Sequence, residues 1–324
     1  MQKLGYILLL SLLIFSCKNE KAKEPVVEKK DPMGTVLVEG AVLAGGKLMR
    51  IDSFPTKLVI PRTVDVWLPD GYSEEKKYAV LYMHDGQNLF DATKTWNKQE
   101  WKVDEIISDL IKKDTIRDVL VVAVWNNSDT RWQDYFPQKA FSYLSEKDSI
   151  MIVEDAKKNN FDTNLMADNY LKFLVEEVKP YIDNQYATLT DYKNTFVAGS
   201  SMGGLISMYA ICEYPQVFGG AACVSTHWPG IMPSDNNPMP EAIFKYMQTN
   251  LPSPQTHKFY FDYGTETLDE YYPRYLDDVD KIFFSKGYDE TNYMNLEFAG
   301  ADHSEDSWNR RFDIPLIFLL GKNK

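Results

Sequence analysis

The chain has 324 residues, with 35 lysines and arginines against 47 aspartates and glutamates, a net charge of −12. A surface this acidic, with no local basic run, repels phosphates and excludes a nucleic-acid-binding role. An apolar fraction of 44%, with 14% aromatic, excludes a disordered chain and can fill one large core, while three cysteines are too few for a disulfide scaffold.

The first apolar run, Leu8 to Phe15, follows Lys3 and ends at Ser16-Cys17. It is shorter than the roughly 20 residues a membrane-spanning helix needs, and it reads as a signal peptide over residues 1–16. Ile14-Phe15-Ser16-Cys17 resembles a bacterial lipobox, in which the cysteine is lipidated and becomes the first residue of the mature chain. Phe15 departs from the small residue usual at its position, which leaves plain secretion as the alternative. Residues 17–34 interleave lysines with glutamates, include Pro25 and Pro32, and lack apolar periodicity, so they predict a flexible tether. The expected location is outside the cytoplasm, on the periplasmic or cell-surface side, with the chain held to a membrane through Cys17.

Residues 35–324 predict a single α/β domain with no second-domain linker. Strand patterns fall at 47–54, 63–68, 79–84, 119–124, 195–199, 220–224, 258–263 and 293–298. Helices separate the later strands. Val103, Ile106, Ile107, Leu110 and Ile111 form one core-facing stripe, and Leu171, Leu174, Val175, Val178 and Ile182 form another. Wholly apolar strands such as Val119 to Val124 imply a mostly parallel sheet of about eight strands covered by helices on both faces. Cys212 and Cys223 sit in apolar segments and read as buried free thiols. Long connections at 126–162 and 225–240 have the length of functional loops.

The strand Thr195 to Gly199 runs into Ser200-Ser201-Met202-Gly203-Gly204 and then an apolar helix. Gly199-Ser-Ser-Met-Gly203 is a GxSxG elbow in strand–turn–helix context, where a sharp turn presents the serine at a helix N-terminus. Ser201 is the expected nucleophile. Ser200 holds the position before it and should point elsewhere. A serine hydroxyl needs a histidine to take its proton, and in this arrangement the order is serine, acid, histidine, with the histidine after the last strand. Of His84, His227, His257 and His303, only His303 fits; His227 reads as a pocket-lining or surface loop residue. The acid should follow the strand ending at Gly264. Asp269 is the first choice and Glu266 the alternative. Two backbone N–H groups should hold the oxyanion, that of Met202 after the nucleophile and that of Gln87 in the turn at Gly86. Asp85, Asn88 and Asp91 lack the further oxygens of a calcium loop, so no metal is expected.

Taken together, His84-Asp-Gly-Gln-Asn-Leu-Phe90, Gly199-Ser-Ser-Met-Gly-Gly204, Tyr263-Gly-Thr-Glu266 and Gly300-Ala-Asp-His-Ser304 resemble the Putative esterase family of α/β-hydrolases. That family includes enterochelin esterases, esterase D, and the feruloyl and acetylxylan esterases of carbohydrate esterase family 1. The likeness spans roughly residues 45 to 322, with the blocks in family order. It implies a serine carboxylesterase without cofactor, acting on a small-molecule or oligosaccharide ester such as a carbohydrate-linked acetyl or feruloyl group or a siderophore ester. Family positions carry over to Ser201 and His303. The family often places its acid three residues beyond the strand-end glycine; that position is Thr267 here, so the acid stays open between Asp269 and Glu266. Acyl transfer to a sugar or lipid hydroxyl would use the same residues, and a non-catalytic surface binding protein would keep only the fold.

Overall fold

The structure is a computed structural model that describes residues 31–322; the expected signal peptide, Cys17 and the tether up to residue 30 lie outside them. Nine strands form one sheet: β1 (Val36–Leu37), β2 (Lys47–Phe54), β3 (Arg62–Leu68), β4 (Ala79–His84), β5 (Val119–Val124), β6 (Thr195–Ser200), β7 (Gly220–Val224), β8 (Lys258–Gly264) and β9 (Tyr293–Phe298). Their order is β1-β2-β3-β5-β4-β6-β7-β8-β9. β1 to β3 pair antiparallel and β3 meets β5 antiparallel, while every pair from β5 through β9 is parallel. Eight strands stand where the sequence pattern puts them. The ninth, β1, has two residues and is too short to carry a period.

The helices are α1 (Val103–Lys112), α2 (Arg131–Tyr135), α3 (Glu146–Lys158), α4 (Ala167–Lys172), α5 (Lys179–Gln185), α6 (Met202–Glu213), α7 (Met239–Asn250), α8 (Leu276–Ser285), α9 (Glu305–Asn309) and α10 (Asp313–Leu320). Alternation along the central strands sorts the apolar side chains into two cores. Val80, Tyr82, Leu120 and Val122 face one side, where Leu171 and Leu174, Leu205 and Tyr209 of α6, and Ile243 of α7 cover them. Ala79, Leu81, Met83, Val119 and Val121 face the other, under Val103, Ile107 and Leu110 of α1 and under Leu316 and Leu319 of α10. Helices therefore lie on both faces, as wholly buried parallel strands require.

The second predicted stripe spans α4, a π-helical turn over Phe173–Val178, and α5. Pro180 accounts for the irregularity, because it lacks the N–H that would bond the carbonyl of Glu176. The connection at 126–162 is largely helical, holding α2 and α3, whose aromatic and charged residues hide any simple period. Trp132 fastens it to the second long connection by donating from Nε1 to the Gly230 carbonyl at 2.8 Å. Cys212 and Cys223 are free and buried, and burial pushes both thiols up. At the other end, Asp31 accepts hydrogen bonds from the Met33 and Thr35 amides and the Tyr181 hydroxyl.

One buried ion pair ties the sheet to the first connection. Arg62 of β3 donates to Asp134 of α2 at 3.0 Å, with side-chain exposures of 2% and 3%, and its guanidinium lies over the Tyr170 and Phe173 rings. Removing one partner leaves the other charge buried and unpaired, so Asp134→Ala should cost about 3–5 kcal/mol. Equilibrium urea unfolding checks this, and Arg62→Met combined with Asp134→Leu should recover most of the loss.

Candidate active site

The parallel strands all end at one edge of the sheet, and the residues with chemistry gather there. β6 leads into Ser201, which has φ 57° and ψ −123° and serves as the N-cap of α6. A serine in this region is strained by roughly 1–3 kcal/mol and persists only where its surroundings hold it. The Ser201 amide donates to the Val224 carbonyl at 2.9 Å, and the His227 amide donates to the Ser201 carbonyl at 3.1 Å. The turn also needs Gly199, since a Cβ there would stand 2.7 Å from the Gly203 carbonyl carbon and oxygen. Ser200, expected to point elsewhere, is buried but also borders the cleft beside Ser201.

After β8 the chain makes a 3₁₀ turn, Thr267–Tyr271, that carries Asp269 fully inside. After β9 the loop to α9 brings His303 against it: His303 Nδ1 and Asp269 Oδ1 are 2.5 Å apart. These two loops meet because the Thr265 and Glu266 amides both donate to the Ala301 carbonyl, and a Cβ on Gly264 would lie 2.1 Å from that oxygen. Glu266 is exposed. Thr267, at the position where the family often has its acid, instead accepts from the His303 amide through Oγ1 at 2.9 Å.

Ser201, His303 and Gln87 line one cleft of about 400 Å³. Met202 is the first residue of α6, so its N–H belongs to the first-turn donors that have no acceptor within the helix. Gln87 lies in the 3₁₀ turn Gly86–Asn88, set up by Asp85 in the left-handed region, and its side chain accepts from the Asn126 amide at 3.2 Å.

Two networks around these residues are invisible in the sequence. The first surrounds the acid. Asp269 Oδ2 accepts from the Gly264 amide at 2.5 Å and the Ser225 hydroxyl at 2.6 Å. Ser225 Oγ in turn accepts from Trp308 Nε1 at 3.0 Å and Arg311 Nη2 at 2.8 Å, and Arg311 pairs with Asp262 at 3.0 Å. A completely buried serine with positive φ marks this hub, but that is a property of the fold and not of the residue type. The second network borders the cleft. Arg131 donates to both oxygens of Asp85 at 2.8 and 2.7 Å, and Asn126 adds a bond at 2.6 Å. Burial alone would raise the Asp85 carboxyl; the Arg131 charge and these bonds outweigh it and hold the group below the usual carboxylate range. Asp85 is thereby committed, Asn88 donates to Glu305, and Asp91 binds Thr93 and the Val42 amide. No group of three or more His, Cys, Asp or Glu side chains among the described residues could hold a metal ion.

The remaining histidines near the site are structural in their contacts. His227 is buried; its Nε2 faces the Ile231 carbonyl at 2.9 Å and so carries the proton, leaving Nδ1 to accept from Tyr272 at 2.8 Å. His84 Nδ1 meets the Tyr170 hydroxyl at 2.7 Å.

The model of the family described as Putative esterase matches residues 57–318. The chain belongs to the Putative esterase family. An uncharacterized Bacillus subtilis protein, YbbA, is 21% identical over 81% of this chain and 94% of its own length. An endo-1,4-beta-xylanase/feruloyl esterase of Xylanibacter ruminicola is 26% identical over 49% of this chain and 18% of its length. Among solved structures, a ferulic acid esterase superposes with a TM-score of 0.60 at 17% identity, covering 85% of this chain and 98% of the other. The fold is that of the α/β-hydrolase esterases.

Burial lowers the pKa of His84 and of His227 to about 4 in the folded esterase. Between pH 6.5 and 4 the unfolded chain binds protons that the fold refuses, so stability falls as pH falls, by about 2 kcal/mol per histidine at pH 5. His84→Asn, which keeps a polar atom toward Tyr170, should lose about 2 kcal/mol less than the parent between pH 7.5 and 5 in urea unfolding.

Proposed function

We propose that the esterase is a serine carboxylesterase working through an acyl-enzyme. The observation that carries this reading is the contact between buried Asp269 and His303 in the cleft where the elbow presents Ser201. In this mechanism His303 takes the Ser201 proton as Oγ attacks the ester carbonyl, then passes it to the leaving alcohol. Asp269 fixes the imidazole tautomer through Nδ1–H and stabilises its charged form. The Met202 and Gln87 amides hold the oxyanion, and water completes the cycle by the same route in reverse. Both Asp269 oxygens are engaged, which supports its role over that of solvent-facing Glu266. The substrate class best supported is a carbohydrate-linked acetyl or feruloyl ester, given the feruloyl esterase relatives and a cleft bordered by amide, hydroxyl and guanidinium groups.

Ser201→Ala should lower kcat by up to about 10⁶, as loss of the nucleophile does in a serine protease, whereas Ser200→Ala should stay within about tenfold. Asp269→Asn should cost about 10⁴ through the wrong imidazole tautomer, with Glu266→Gln near wild type. Burst kinetics with p-nitrophenyl acetate report all four, and a larger loss in Glu266→Gln than in Asp269→Asn would transfer the acid's role.

We also propose that the enzyme is exported and anchored by lipid on Cys17, on the sequence grounds given above. Stable attachment takes more than one acyl chain, as a lipoprotein has. Fractionation should find the wild type with membranes and Cys17→Ala in the soluble fraction; a soluble wild type with no mass added at Cys17 would leave a secreted enzyme.

A further inference from the structure

Three tryptophans border the cleft, and two of them are packed away. Trp101 and Trp308 are 2% and 5% exposed, with ring centroids 5.4 Å apart. Trp96 is 85% exposed, the most exposed large apolar side chain among the described residues. Its loop is well fastened. The Ala92 amide donates to Glu100 at 3.0 Å, Lys98 Nζ to the Thr93 carbonyl at 2.9 Å, and the neighbouring Asn97 Nδ2 to Glu305 Oε2 at 2.9 Å. Glu305 is largely buried at the start of α9, two residues after His303, and also accepts from Asn88. An indole displayed to water on a loop tied to the helix that follows His303 is pre-organised for a ligand that covers it.

The rest of the cleft says which ligand. Gln87, Asn126, Ser128, Arg131 and Glu305 line the same cleft as Trp96 and Ser201 and bring amide, hydroxyl, guanidinium and carboxylate groups to it. An exposed apolar ring and hydrogen-bonding groups in one cleft match a sugar, whose C–H face is apolar and whose rim carries hydroxyls. Resting on the serine-esterase reading, we propose that Trp96 is the platform on which the sugar ring of an esterified oligosaccharide stacks, presenting its ester to Ser201.

The test compares two substrates with the same acyl group, an acetylated xylo-oligosaccharide and ethyl acetate, whose alcohol has no ring, and adds methyl ferulate as a third, whose acyl group is aromatic. In Trp96→Ala the ratio of kcat/KM for the oligosaccharide over ethyl acetate should fall about tenfold, mainly through KM, as truncating an aromatic anchor does. Trp96→Phe should keep most of the ratio. An unchanged ratio in Trp96→Ala overturns the platform, and so does a loss confined to methyl ferulate, which would put the aromatic acyl group on the indole. A wild type that cleaves ethyl acetate but not the oligosaccharide overturns the sugar assignment while the esterase reading stands. A wild type that cleaves neither ester, and that an active-site serine titrant does not label, overturns the esterase reading itself.

Discussion

Asp269 is a carboxylate with no solvent contact, and a charge in that position is tolerated only if the protein supplies its hydrogen bonds. Four segments meet to do so. The end of β8 contributes the Gly264 amide, the end of β7 contributes Ser225, the loop after β9 contributes His303, and the helical C-terminal region contributes Trp308 and Arg311 behind Ser225. Ser225 is the joint between the acid and the buried Arg311–Asp262 pair. Holding one charge in place thus fixes the relative positions of the last three strands and the last two helices.

The same economy governs the other side of the cleft. Asp85 and Arg131 neutralise each other beside Ser201, so the second charged cluster also reaches the site already paired. The strained Ser201 backbone lies between these two polar networks and is tied to the end of β7 through Val224 and His227. Two apolar cores on either face of the sheet give the rigidity that such strain demands. A site built this way has little freedom at its centre, and the exposed part of the cleft near Trp96 is where substrate selection is free to act.

Much of the fold was legible because its signals are local. Apolar runs gave eight of the nine strands, the stripes in α1 and in α4 to α5 gave the helices that flank the sheet, and the glycines of the elbow marked the turn at Ser201. What was missed was short or masked: two-residue β1, the helices inside 126–162, and the π-turn before Pro180. His227 was legible as a loop residue, but the structure buries it between the Ile231 carbonyl of its own loop and the Tyr272 hydroxyl from the segment after β8.

By itself the amino-acid order determined the class of fold, the elbow serine and the histidine after the last strand, since each rests on residues close together in the chain. Only the tertiary structure decided that Asp269 and not Glu266 touches His303. Both carboxylates follow the same strand within a few residues of each other, and no local pattern separates them. The 3₁₀ turn after Thr267 rotates one inward to bonds donated from β7 and β8 and leaves the other in water. The Ser225–Arg311–Asp262 cluster and the Asp85–Arg131 pair were decided in the same way. Their members lie tens of residues apart, and what joins them is the need to satisfy buried charge, which arises only once the chain has folded.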